Sequence, residues 1–260
     1  MLTGSRRPPF YLHARERLAS HTRLRSLQKT GALIHSLDGV LDLRPFYRRL
    51  QQVGNTCLGF SRTQNVRTFC ASRGIAAPLI DPYFPYWFGR KRYRMQKADG
   101  GAYTEGVWWS GRQFGDVEWD PATPAPNLLK PPSGRQVMRA VDLAIDGAQI
   151  FDSGDRLVWR IVDSMRKRQS VQLSMGIDLA FFASEGPEVI DVPIDALGLG
   201  HAVALLAALP DVDGEPLPMF AIGNSWGHWR DGGIALIKGR YVAQLAYGAF
   251  FVRGVTRRAA

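Results

Sequence analysis

The 260-residue sequence predicts an α+β chain, with a helical half followed by a strand-rich half and a cleft between them. Two groups of observations carry this. A helix is expected over about residues 56–73, and Leu157, Val158, Ile161, Val162 and Met165 mark the apolar face of another. Four β-like runs then follow, at Val171–Ile177, Leu199–Leu209, Met219–Ile222 and Gly233–Lys238, without the regular helix-strand alternation of a parallel sheet. The helical lobe is expected over about 41–150 and the sheet lobe over about 151–250, within one domain of 41–260.

Residues 1–40 precede this domain as a basic arm. Ala14, Leu18, His21, Leu24 and Leu27 recur at helical spacing and Gly31 suits a helix end, so an amphipathic helix is expected over roughly 13–30. It either packs on the body of the protein or acts as a detachable pro-segment. Leu41-Asp42-Leu43-Arg44-Pro45 is expected to be extended, because a proline disfavours helical backbone in the residue before it. Asn55 or Thr56 is placed to cap the helix over 56–73, and Gly74 to end it. Residues 75–135, rich in Pro, Gly and Trp, read as loops with short helices.

The composition is that of a globular chain, 45% apolar and 22% charged. The first ten residues lack the apolar run of a secretory signal, and the apolar stretch Ala202–Leu209 is far short of a membrane span. Two cysteines, Cys57 and Cys70, make no disulfide scaffold. A soluble protein of the cytoplasm or another reducing compartment is expected. The formal charge is +10, with basic clusters such as Arg48/Arg49, Arg90–Arg94 and Arg166–Arg168. Such charge either attracts nucleic acid or acidic proteins, or is solvated charge from an arginine-rich coding background. The scatter of the clusters favours the second, so a nucleic-acid partner is not expected.

The chemistry rests on three residues. Cys57 lies at the start of the helix expected over 56–73, where unpaired amides and the helix dipole favour an anion and can draw a thiol toward thiolate. The alternative is a buried, inert cysteine. His201 lies inside an apolar strand, where a histidine is either a base or a satisfied structural residue. Asn224 opens an Asn-Ser pair between an apolar strand and Trp226-Gly227.

Together with Gln51, six residues before Cys57, these residues resemble the papain-like cysteine peptidases, whose His and Asn follow the Cys by roughly 130–150 residues. Here the intervals are 144 and 167 residues, the excess lying in the insertion-like loop Pro210–Pro218. The segment Leu41–Pro45 followed by Gln51–Phe60 is similar to prokaryotic and viral members. Asp99-Gly100-Gly101-Ala102 resembles the family's Gly-Gly element, and Asn224-Ser225-Trp226-Gly227, with Trp229 and Asp231-Gly232-Gly233, its Asn-Ser-Trp-Gly segment. Two departures stand out. Gly54-Asn55-Thr56-Cys57-Leu58 replaces the family's Cys-Gly-Ser-Cys-Trp, which removes a common structural disulfide and a tryptophan.

The resemblance implies a two-lobe papain-like fold, with a helical N-terminal lobe, a β-sheet C-terminal lobe and the active site in the cleft. It implies hydrolysis of a peptide or protein substrate without metal or cofactor. Cys57 is then the nucleophile, His201 the base, Asn224 its orienting partner, and Gln51 an oxyanion donor. Gly100 and Gly101 meet the substrate backbone. Ala102, Leu199 and Ala202 line the pocket for the side chain next but one before the scissile bond, and Trp226 covers the His201–Asn224 bond. The alternative is a papain-like fold serving as a structural or binding component of a viral or multi-protein assembly. The oligomeric state is not written in the sequence.

Overall fold

The computed structural model describes residues 36–257 except 77–78, 123, 141–142, 183–188, 192–195, 212, 228 and 231. The expected helix over 13–30 lies outside the described residues. After a short 3-10 turn at Arg44–Phe46 come α1 (Cys57–Ala71), α2 (Tyr83–Arg92), α3 (Thr104–Phe114) and α4 (Gly134–Ala140). Then follow β1 (Leu143–Ile150), α5 (Gly154–Arg166), β2 (Val171–Asp178), α6 (Leu179–Phe182) and β3 (Val189–Ile190). The chain continues through β4 (Ala196–Leu209), β5 (Met219–Gly223), β6 (Ile234–Lys238), α7 (Gly239–Leu245) and β7 (Ala246–Arg257).

The strands form one seven-stranded sheet in the order β1-β7-β2-β4-β5-β6-β3. It is antiparallel throughout except where β3 meets β6. The apolar face expected on α5 is real: Leu157, Val158, Ile161, Val162 and Met165 are all buried against Val171, Leu173, Val203 and Leu205 of the sheet. A second cluster joins α1 and α3 to β1 and β7 through Val66, Phe69, Trp108, Ile145, Phe250 and Val252.

Helix α1 matches the expected helix but is not amphipathic. Ser61, Arg62, Thr63, Gln64, Asn65 and Thr68 are buried as fully as Phe60, Val66 and Phe69. Burial of polar groups requires partners, and many are supplied by other elements. Arg62 makes a two-pronged ion pair with Asp116, the Nη2–Oδ2 arm at 2.7 Å. Ser61 Oγ accepts from Gln172 of β2 at 2.6 Å, and Gln64 Nε2 donates to the carbonyl of Arg48 at 2.9 Å. The helix carries both Cys57 and Cys70. At about 1.5 Å rise per residue they are about 19–20 Å apart, beyond any disulfide.

Two local expectations are corrected. The segment before Pro45 is not extended. Leu43 is helical (φ −96°, ψ −1°), and the Asp42 carboxylate accepts the Arg44 amide at 2.9 Å, closing a turn in which proline needs no N–H. Neither Asn55 nor Thr56 caps α1 with its side chain. Thr56 precedes the helix with near-helical backbone, and its hydroxyl instead donates to the carbonyl of Val53 at 2.7 Å. The basic run at 90–94 is also not all surface charge. Arg90 is fully buried and donates to the carbonyls of Leu128 (3.1 Å), Met95 (2.6 Å) and Ala98.

Helix α1 meets α2 through Gly59, whose φ is unexceptional. A Cβ there would lie 2.0 Å from the carbonyl oxygen of Pro82. Helix propensity favours alanine by about 1 kcal/mol, but a backbone clash of this size outweighs it. Gly59→Ala is expected to destabilise by about 3 kcal/mol. Chemical denaturation measures this, and a variant as stable as the parent would refute the close approach.

Candidate active site

Cys57 is the first residue of α1. Its sulfur is faced by the backbone amides of Ala202, Leu58 and Cys57, all of which favour the thiolate. Burial is the larger influence, and it pushes the thiol up to about 11, with the Asp99 charge adding to the rise. Burial thus opposes the pull toward thiolate that the helix start exerts on this cysteine.

His201 lies in β4, opposite Met175 of β2. The β4–β5 pairing runs to Ala204 opposite Gly223, so Asn224 comes one residue past the strand end, close to the His201 side. The ring Nε2 lies 2.9 Å from Asn224 Oδ1. The backbone amide of Ser225 also donates to Oδ1, at 2.8 Å, which fixes the carboxamide with its oxygen toward the ring. His201 Nε2 is then the donor, and in the neutral ring Nδ1 keeps its lone pair. Burial holds the imidazole down at about 4, against the Asn224 hydrogen bond, which raises it. Burial thus favours the neutral form of both groups.

Aromatic rings shield this bond. Trp226 packs on the His201 ring with centroids 4.5 Å apart. Three features the sequence did not reveal reinforce it. Phe181 meets His201 edge-on at 5.4 Å and stacks on Trp229 at 5.1 Å, while Phe182 stacks on Trp226 at 5.1 Å. Tyr47 donates its hydroxyl to the backbone carbonyl of Asn224 at 2.6 Å. Gln52 accepts the Ser225 hydroxyl at 2.7 Å. Only the Phe181-Phe182 doublet after an apolar strand offered a signal, and a weak one.

Gln51 is brought to the same region by an isolated bridge to Trp226. A Cβ on Gly227 would lie 1.7 Å from Gln51 Oε1 but 3.6 Å from Nε2, so the oxygen edge of the carboxamide is turned to Gly227 and the amine edge away. Gly227 also has φ +62°, so both space and backbone demand glycine. Cys57, Ala102 and Ala202 share one apolar cluster with Leu58 and Val107. Leu199 lies further along β4 and is half exposed. At Gly100 and Gly101 a Cβ would meet nothing within 4 Å, which leaves that backbone open to a ligand.

Neither a family model nor a curated protein sequence matches the chain. Solved structures do match. Xylellain, a cysteine protease from Xylella fastidiosa, is 17% identical with a TM-score of 0.68, the match covering 86% of this chain and 88% of that one. The bromelain protease from Ananas comosus, in complex with the E64 inhibitor, is 13% identical with a TM-score of 0.61, covering 85% and 100%. Digestive procathepsin L 3 of Tenebrio molitor larval midgut is 13% identical with a TM-score of 0.61, covering 96% and 94%. At such identities the likeness is one of fold, and the chain has the α+β fold of the papain-like cysteine proteases.

Proposed function

We propose that the protein is a cysteine peptidase that hydrolyses peptide bonds through an acyl-thioester on Cys57. The observation that carries this is the His201 ring. It is held by Asn224 Oδ1 with the proton on Nε2, and it adjoins Ala202, whose amide faces the Cys57 sulfur. The similarity of fold to cysteine proteases supports the same reaction.

In this reading His201 Nδ1 takes the thiol proton as the sulfur attacks the substrate carbonyl, which turns a neutral pair into thiolate chemistry only when substrate is present. The carbonyl oxygen becomes an oxyanion, met by the Cys57 backbone amide and by Gln51 Nε2, the edge turned away from Gly227. The imidazolium passes its proton to the leaving amine, and the thioester remains on Cys57. A water, deprotonated by the same ring, then hydrolyses it. Asn224 keeps the ring aligned through both steps, and the Trp226 and Phe181 rings keep water off that bond.

Cys57→Ala should abolish cleavage of fluorogenic peptides while leaving the fold intact. Gln51→Ala should lower turnover by roughly 10²–10³, His201→Ala by more, and Asn224→Ala by less than His201→Ala, because it orients the ring without transferring a proton. Cleavage by Cys57→Ala at the parent rate would sink the assignment.

With the imidazole near 4 and the thiol near 11, the pair is neutral between those limits. Activity should fall as pH drops through about 4, where the ring is already protonated. Iodoacetamide should label Cys57 slowly at pH 5–6 and about tenfold faster per pH unit toward about 11. Rapid labelling at pH 5 would mean a resting ion pair instead.

Ala102 and Ala202 line the apolar cluster at Cys57, with Leu199 beyond them. A peptide library should therefore favour a bulky apolar side chain two positions before the scissile bond. Enrichment of Asp or Arg there would contradict this pocket.

A further inference from the structure

The turn that precedes Cys57 is tied to a distant segment through one carboxylate. Asp99 Oδ2 accepts the backbone amide of Asn55 at 2.9 Å, and the Asp99 carbonyl accepts Asn55 Nδ2 at 2.6 Å. Oδ1 of the same carboxylate accepts the hydroxyl of Tyr86, a fully buried residue of α2. Arg90, also buried in α2, holds the neighbouring carbonyl of Ala98. A Cβ on Gly54 would lie 2.4 Å from Asp99 Oδ2, so the turn is pressed against the carboxylate and admits only glycine there. The residues after Asp99 are Gly100 and Gly101, the open backbone beside the site.

We propose that Asp99 is a positioning residue: it clasps the Gly54–Thr56 turn to α2 and so fixes both the Cys57 thiol and the Gly100–Gly101 backbone in one frame. The charge has a second consequence. Asp99 lies close enough to the thiol to oppose its ionisation. The other titratable groups around the sulfur are Tyr86 of α2, Tyr247 of β7 and, beside Ala202, His201. Of all these, only the Asp99 carboxylate is both a hydrogen-bond partner of the turn and an anion facing the thiol.

The consequence for peptide cleavage rests on the peptidase reading, but the effect on the thiol does not. The test is Asp99→Asn in the full chain, with Tyr86→Phe beside it. The Asn side chain has one acceptor oxygen, so it cannot accept from both the Tyr86 hydroxyl and the Asn55 amide as the carboxylate does, and it carries no charge. In Asp99→Asn the midpoint of the Cys57 iodoacetamide profile should move to lower pH by about half to one unit at low ionic strength, a three- to tenfold faster labelling on the rising limb. Its kcat/KM should fall about ten- to hundredfold, the cost of a displaced nucleophile. Tyr86→Phe keeps the charge, so its kcat/KM should fall without a lowered midpoint. Asp99→Asn with the parent midpoint and a kcat/KM within twofold of the parent would overturn the proposal. If circular dichroism shows Asp99→Asn unfolded, Tyr86→Phe decides: a lower kcat/KM at an unlowered midpoint supports the clasp, and parental kinetics overturn it. If the parent cleaves no peptide, the peptidase reading fails and the labelling midpoint of Asp99→Asn alone decides.

Discussion

Helix α1 is buried around most of its circumference although much of it is polar, and the rest of the molecule is arranged to satisfy it. A buried polar group without a partner costs roughly 1–3 kcal/mol. Gln172 of β2, Asp116 beyond α3 and the carbonyls of Ile80 and Arg48 are each spent on this helix. Satisfaction is not complete: Arg62 Nε, Gln64 Oε1 and Asn65 Nδ2 have no hydrogen-bond partner among the described residues. What the arrangement gains is a fixed axis. The helix cannot rotate or slide without breaking an ion pair on one side and a contact with the sheet on the other. The thiol at its first residue inherits that rigidity.

The same burial decides the electrostatics. A helix start offers an anion several amides, and two of them, those of Cys57 and Leu58, face the Cys57 sulfur together with the Ala202 amide of β4. The site is dry enough that desolvation still wins, and it does the same to His201. Burial thereby favours the protonated thiol and the neutral ring alike. Asn224 and the Ser225 amide fix which nitrogen carries the ring proton, so the tautomer is set by the fold before any substrate arrives.

Much of this was legible in the sequence because it follows from local pattern. The α5 face shows its period in five apolar residues, and four sheet strands appear as apolar runs close to their observed limits. Strands β1 and β7 were not legible: Leu143–Ile150 carries Asp146 and Gly147, and Ala246–Arg257 mixes apolar residues with Arg253 and Gly254. Helix α1 was found from its ends rather than from a stripe, since a helix buried all round has none. At the site, Cys57, His201 and Asn224 were named from local context, and the hydrogen bond between the last two is present. Tyr47, Phe181 and Asp99 were missed in these roles. Each acts through a contact between segments far apart in sequence, and nothing near Tyr47 in the chain hints at a backbone carbonyl 177 residues away. Gly54 shows the limit of motif reading. It falls where the similar family carries its first cysteine, and what holds the turn here is a carboxylate from elsewhere.

The Tyr47 hydroxyl has a bearing on the order in which the protein is made. Tyr47 and Gln52, among the earliest described residues to leave the ribosome, brace Asn224 and Ser225, and the Asn224 amide is in turn held by the carbonyl of Gly233 at 2.8 Å. Contacts between such distant segments are the slow ones to form. The helix that carries Cys57 is translated long before the His201 ring is aligned by Asn224. A nascent chain that has emerged only as far as β4 holds Cys57 and His201 without the loop that orients the ring. Alignment of the ring is thus deferred until the chain has been synthesised at least as far as Gly233, whose carbonyl holds the Asn224 amide.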